Sequence, residues 1–503
     1  SNLTAPFDPS DINSYFNDTI PAGEPHATVF GVPLDGAPAP GPSAASDQSG
    51  AVVENTLDLE MAGSTAPGAK IYNVYGTSSG TGQTDASMAA ILNAAPGSPL
   101  ANVQVISNSW GGPDEVNGAW NNLTEEATVR GITVLAASGD SGDNSDSSSY
   151  VGTTVEFPST VAYDTYGVVA VGGTTLTLNT QHGAGYLHVQ NQTAWYDAYA
   201  DSGTNVVGST GGTSSEYSQP SWQSDSEASS YISTYAGQGE AKNGQRGVPD
   251  IAAVANNTYV IYPNSNRQPT LGVVAGTSVA TPVAAGLIAE IDAVLFKYGQ
   301  SPLGFADPAI YQWANAYGLP PPSGQGATGT DSVGSWTSEL PSSPVSFITS
   351  GGNLVYRAQA GYSLVTGWGS LDAYNFTTYV LDYNYTGSGF ALNGVGAQLS
   401  LTGLSVHSVG GDYSASVQLN AVIANSLGAP LYWVQNVIYL NATSSGSWAA
   451  NYSGWISYPY FGLYRGETIY SYNFPLTGTK IAAPVVWSMS IWLSSTGTGR
   501  TLN

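Results

Sequence analysis

"AGTSVATPVAAGL", residues 275–287, is a short glycine–threonine–serine loop running into the start of an apolar helix. The continuation "VAAGLIAEIDAVLFKYG" (283–299) keeps helical spacing of its apolar residues and is read as a strong helix ending at Gly299. Pro282 falls in its first turn, where a backbone N–H has no intrahelical partner anyway. Ser278 therefore stands at a loop-to-helix junction, and to act as a nucleophile it would need a neighbouring base. The usual base is histidine, and the chain has four: His26, His182, His188 and His407. None lies in a His-Gly-Thr-His-like segment. Something else must take the proton of Ser278.

Upstream of that helix, from about residue 25, short apolar runs alternate with helical stretches. "AKIYNVYG" (69–76), "VQVISNSWG" (103–111), "GITVLAAS" (131–138) and "GVVAVGG" (167–173) read as buried strands, and "AVVENTLDLEMAGS" (51–64) and "NNLTEEATVRG" (121–131) have helical spacing. This is the pattern of a parallel α/β sheet flanked by helices. Gly/Ser/Pro-rich loops fill 318–344, and "YSLVTGWGSLDAYNF" (362–376) closes the region. From 385 the texture changes to period-2 alternation, as in "APLYWVQNVIYLN" (429–441). Two domains are expected: an α/β domain over 1–384 and an all-β, sandwich-like accessory domain over 385–503.

Charged residues make up 9% of the chain, with 35 acidic against 10 basic residues and a formal charge of −25. That balance argues against a nucleic-acid partner, because phosphate binding needs clustered Lys and Arg. In acid the carboxylates are neutral, and ten Lys and Arg with four His set the ceiling on positive charge. Self-repulsion then stays low under conditions that unfold ordinary proteins. Cysteine is absent, so disulfides and thiolate metal sites are excluded. No apolar run is read as long enough to span a bilayer. The chain is expected to be a processed, secreted, soluble fragment of a longer precursor, and its nine Asn-x-Ser/Thr sequons add only weak support for glycosylation and secretion.

Carboxylates offer the missing base. Glu54 and Asp58 stand four apart in a helical segment, so both lie on one face. "AASGDSGD" (136–143) puts Asp140 past the C-terminal end of a buried strand, where open α/β sheets place ligand sites. In this order, "ENTLD" (54–58), "SGDSG" (138–142) and "GTSVATP" (276–282) resemble the sedolisin family, the serine-carboxyl peptidases. Further matches are "SWG" (109–111), "FPST" with "AVGGT" (157–174), "STGGTSSEYSQPSWQ" (209–223), "RGVPDIAAVA" (246–255) and "TGWG" (366–369). The resemblance covers roughly residues 1–380.

It implies a subtilisin-like fold and a secreted, acid-active endopeptidase with protein or peptide substrates and an optimum of about pH 2–5. Ser278 would be the nucleophile, Glu54 the general base, and Asp58 the group that orients Glu54. Asp140, protonated, would donate to the oxyanion beside the Ser278 backbone N–H. Ser109, Trp110 and Gly111 would form the strand edge that pairs with the substrate backbone. Glu60 also matches a family carboxylate, but its helical phase turns it away from the others. The resemblance also implies an inhibitory pro-domain as a partner before activation, and the chain is expected to be the activated form. Two other readings compete: a catalytically silent surface or adhesion protein, and a glycosidase using Glu54 and Asp58, which leaves Ser278 and Asp140 unexplained.

Two positions depart from the family. Its calcium site uses two Asp side chains, and here "FITSGGN" (347–353) and "GYSLVTG" (361–367) put Phe347 and Ser363 in those places. Calcium needs anionic oxygens, so a degenerate site and no cofactor requirement are expected. For the β module, substrate docking and cell-surface attachment stay open.

Overall fold

The computed structural model describes residues 6–382 apart from 43–49, 78–80, 96, 145–154, 180–187, 198–206, 265, 267, 298–300 and 319–342; beyond 382 it describes only the strands. Two compact units divide at Leu381 and Asp382.

In the first unit, four parallel strands run side by side in the order Ile251–Val254, Val169–Asn179, Thr133–Ala137 and Val105–Asn108. A fifth, His188–Ala194, pairs antiparallel with the far half of Val169–Asn179. All five residues of Thr133–Ala137 are buried, as expected of a parallel sheet covered on both faces. Thr28–Pro33 and Lys70–Tyr75 form a separate parallel pair joined through the helix Gly50–Thr65, here called the carboxylate helix.

Of the sequence-predicted helices, 51–64 appears as Gly50–Thr65 and 121–131 as Gly118–Val129. The second begins three residues early because the Asn117 side chain accepts from the N–H groups of Ala119 and Trp120, which satisfies donors that a helix start leaves open. The helix read as starting at 283 runs from Thr277 to Lys297, and the expected end at Gly299 lies outside the described residues. This serine helix packs along the carboxylate helix and across the central strands.

Its earlier start corrects the placing of Pro282, which sits inside the helix rather than in its first turn. Proline has no N–H to give the carbonyl four residues back, and that carbonyl belongs to Ser278. The Ser109 hydroxyl oxygen lies 3.3 Å from that carbonyl, though its proton is directed at Asp58. The same helix, at 21 residues, is long and apolar enough to cross a bilayer, contrary to the expectation that no such run exists. Much of it is buried in the core against the sheet.

Asp8 caps the N-terminal helix Pro9–Thr19 by accepting from the Ser10 N–H at 2.8 Å. Gly63 lets that helix lie close on the carboxylate helix, since a Cβ there would stand 2.2 Å from the Phe16 ring. Phe7, Ile12, Phe16, Leu57, Leu59, Val260 and Ile261 form the core between them and the hairpin Thr258–Pro263 with Pro269–Val274.

In the second unit, Gly389–Leu392, Val395–Val409, Asp412–Asn425 and Thr468–Thr479 make one antiparallel sheet. Tyr452–Ser457, Trp433–Ala442 and Val485–Ser494 make another.

Candidate active site

Neighbouring strands Val105–Asn108 and Thr133–Ala137 end at the same level, with Asn108 opposite Ala136. Ser109 follows the first and Asp140 the second. The serine helix begins beside them, and the carboxylate helix lies against it. Four segments distant in sequence thus converge on Ser278.

The Ser109 hydroxyl donates to Asp58 Oδ1 at 2.6 Å. Ser278 is near enough to Glu54 to lower its pKa against the effect of burial, and the contact of Ser278 Oγ with the Ser109 carbonyl is long, at 3.5 Å. So weakly held a hydroxyl can turn its proton to Glu54, as uncomplexed catalytic pairs commonly do only on tightening. Glu54 Oε1 is sealed from solvent without a geometric hydrogen-bond partner. Burial and then the adjacent Asp58 hold Glu54 well above the usual carboxyl range. Burial raises Asp58 to about 6. Two carboxyls this close titrate as a pair, so these shifts describe the pair rather than either residue.

Asp140 is held from one side only. Its Oδ1 accepts the Thr277 N–H at 2.7 Å and the Thr277 hydroxyl at 2.8 Å. The same Thr277 oxygen accepts the Gly139 N–H at 3.1 Å. Oδ2 is left toward Gly276, where a Cβ would come within 3.0 Å of it. Burial raises the pKa of Asp140 against the lowering effect of Thr277, which favours a neutral acid with its proton on the free oxygen. The Ser278 N–H, in the first turn of its helix, has no intrahelical acceptor. The two donors can face a single oxyanion.

The 109–111 edge serves mixed purposes. Ser109 turns its hydroxyl inward to Asp58. Trp110 packs edge-on against Trp120 and Phe157, with ring centroids 5.4 and 5.8 Å away. Gly111 is exposed, and a Cβ on it would meet Glu156 Oε2 at 2.4 Å. A side chain there would have to displace the Glu156 carboxyl, and as glycine the residue leaves its backbone exposed.

A sequence model described as the subtilase family matches residues 43–301 of the 503. The chain belongs to the subtilase family. Within it, the chain is a sedolisin-family, subtilisin-like protein. It is 31% identical over 313 residues to kumamolisin of Bacillus sp. (strain MN-32), covering 61% of this chain and 49% of that protein. It is 32% identical over 192 residues to tripeptidyl-peptidase 1 of Macaca fascicularis, covering 37% and 29%. The chain thus spans about half the length of the first of these relatives, and less of the second. The fold matches Pseudomonas sedolisin, a serine-carboxyl proteinase solved with two molecules of pseudo-iodotyrostatin, at a TM-score of 0.54 and 22% identity, over 76% of this chain and 92% of that one.

Where the sedolisin family has calcium ligands, the residues of this chain do not fit the ion. The Phe347 side chain brings no oxygen. The buried Ser363 hydroxyl is paired with Thr366 Oγ1 at 2.9 Å and accepts the Thr366 N–H at 3.2 Å. The neighbouring Asn353 spends its side chain on the Ser209 carbonyl and the Tyr356 N–H. Among the described residues no group of three His, Asp or Glu could hold a metal.

Sequence reasoning passes over Thr277, which anchors Asp140, and over the Ser109 side chain, which holds Asp58. Thr277 was available as the middle residue of the Gly-Thr-Ser motif. Nothing local marks the direction in which Ser109 points.

Proposed function

We propose that this sedolisin-family chain is a secreted, acid-active serine-carboxyl endopeptidase. The observation that carries the reading is Asp140, held by Thr277 on one oxygen and open on the other, beside the Ser278 N–H. In the proposed mechanism Ser278 Oγ attacks the peptide carbonyl as its proton passes to Glu54. Asp58, held by Ser109, keeps Glu54 aimed and lets the pair share the proton. The carbonyl oxygen becomes an oxyanion that accepts from Asp140 and the Ser278 N–H. Glu54 then gives its proton to the leaving amine, and water repeats the sequence on the acyl-enzyme. A carboxylic acid donates to an oxyanion only while neutral, which ties the activity to acid.

Substrates are unfolded proteins or peptides whose backbone lies along the exposed edge at Gly111. The degenerate calcium positions make catalysis independent of calcium, with the Ser363–Thr366 hydroxyl pair in its place. Residues 385–503 are assigned as a β-sandwich accessory domain outside the catalytic chemistry, and a pro-domain is the partner before activation. A digest of an unfolded protein across the acid range, with and without EDTA and with cleavage sites read by mass spectrometry, tests this reading. Internal cuts in acid that EDTA does not reduce are expected. Removal of tripeptides alone from N-termini would overturn the endopeptidase assignment, and loss of activity in EDTA would overturn calcium independence.

A further inference from the structure

Two carboxyls that the chemistry does not use are buried on the far side of the carboxylate helix. Glu60 is fully buried, and both of its carboxyl oxygens lie near the Ile261 N–H, at 3.1 and 3.3 Å. Asp11, on the N-terminal helix, is 1% exposed, and neither of its carboxyl oxygens has a hydrogen-bond partner. The two are near enough for the charge of Asp11 to act on Glu60. Around them lie Phe7, Ile12, Phe16, Leu59 and Ile261.

Among the described residues no cation answers them. The facing titratable groups are Asp8 and Tyr15 from the N-terminal segment and Tyr259 from the hairpin, whose hydroxyl donates to Asp18. His26 packs against the Phe16 ring. The ion pair found among the described residues is Arg246–Asp250, elsewhere in the fold. An isolated ionised carboxyl in such a core is so costly that the group stays protonated instead.

Glu60 is two residues from Asp58 on the same helix, about 200° around it. Glu54 and Asp58 therefore face Ser278 while Glu60 faces the N-terminal helix and the hairpin. We propose that Asp11 and Glu60 are a proton-dependent positioning clamp. As neutral acids they hold the carboxylate helix between the N-terminal helix and the hairpin; when they ionise they loosen it, and Glu54 and Asp58 lose their alignment with Ser278. The clamp rests on the proposed mechanism only for its effect on activity, since its effect on the helix is independent of catalysis.

The direction of the pH effect follows from burial. Burial, then Asp8, raises Asp11 from 3.8 to about 7, and burial raises Glu60 from 4.5 to about 9 against the lowering effect of the Ile261 N–H. The folded state therefore holds protons that the unfolded chain has already lost. Stability from the clamp is complete below the unfolded values, falls as pH rises above them, and is gone once the folded values are passed.

The test uses the full chain carrying Glu60→Gln, Asp11→Asn or both, each a neutral stand-in for the protonated acid. Near-UV circular dichroism and amide exchange across Gly50–Thr65 are followed against pH in a Ser278→Ala background, which removes self-digestion. Activity is measured separately with Ser278 intact. At about pH 4, where reference carboxyls titrate, each active variant should keep its kcat/KM within about threefold of the parent. The structural midpoint on the alkaline side should move up by about one pH unit or more for each single substitution, and further for the double.

A purely structural role would lower stability equally at every pH and move the midpoint down rather than up, which overturns the clamp. If Glu60→Gln does not fold, Asp11→Asn carries the same test. If the chain has no peptidase activity but the midpoint moves, the clamp stands and the proposed function fails. If the parent is active in acid but the midpoint does not move, the reverse holds.

Discussion

Asp250 and Glu60 are both sealed in the core, and they are neutralised in opposite ways. Asp250 meets the Arg246 guanidinium through two contacts, of 2.7 and 2.5 Å, and also accepts the Tyr311 hydroxyl and the Ala170 N–H. Arg246 in turn lies over the Trp222 ring, 5.3 Å from its centroid. Glu60 has one backbone donor and no cation. One acid is matched by a charge, which comes with the fold; the other is matched by a proton, which comes from the medium. Glu54, Asp58 and Asp140 belong with Glu60, since burial raises all three and no described cation pairs with them. In a chain with 10 basic residues against 35 acidic ones, proton-matched burial suits an acid medium and fails outside it.

The contrast separates acids matched by a cation from acids matched by a proton, and substitutions can break it at several strengths. The largest effect is expected from Ser278→Ala. It removes the proposed nucleophile, so kcat should fall by about 10⁴-fold or more while the circular dichroism spectrum stays that of the parent. Residual activity within about tenfold of the parent would mean another nucleophile.

Arg246→Leu attacks the charge-matched side. It leaves Asp250 without its cation and should cost about 3–5 kcal/mol of folding stability, read by denaturant unfolding at the highest pH at which the parent stays folded, since in acid Asp250 can take a proton in place of the cation. A loss below about 1 kcal/mol would show that Asp250 does not need the ion pair. Ser109→Ala is milder and falls on the proton-matched side. Ser109 lowers the pKa of Asp58, so its loss should shift the acidic limb of the pH profile upward and cost about tenfold in kcat/KM. A limb that stays in place would reduce Ser109 to packing.

The parts of the site visible in the sequence are those carried by short-range spacing. Glu54 and Asp58 share a helix face because they are four apart, and Asp140 follows a buried apolar strand. What was hidden depends on contacts between distant segments. The Ser109–Asp58 bond spans 51 positions and the Ile261–Glu60 bond 201, and no local pattern records either. The start of the serine helix was misplaced because "TSVATP" has no apolar periodicity. Residues 277–282 become helical through tertiary contacts, where the serine helix packs on the carboxylate helix and the central strands. Glu60 is a similar case. Its helical phase correctly removes it from the catalytic face, but the phase does not disclose that Asp11 and the Ile261 N–H await it.

The pH dependence of kcat/KM for one small peptide substrate, from about pH 2 to 8, tests the central claim most directly, because every proposed catalytic group except Ser278 is a carboxyl. The acidic limb should report the Glu54/Asp58 pair losing a proton so that Glu54 can serve as base. The alkaline limb should report Asp140 losing the proton it donates. Burial raises all of these groups, so the bell should sit toward the upper part of the acid range, with its maximum below about pH 6. Asp140→Asn should lower the peak and flatten the alkaline limb, since an amide donates at any pH. A parent enzyme that works best at about pH 7.5, where a histidine base is the natural choice, would contradict the account.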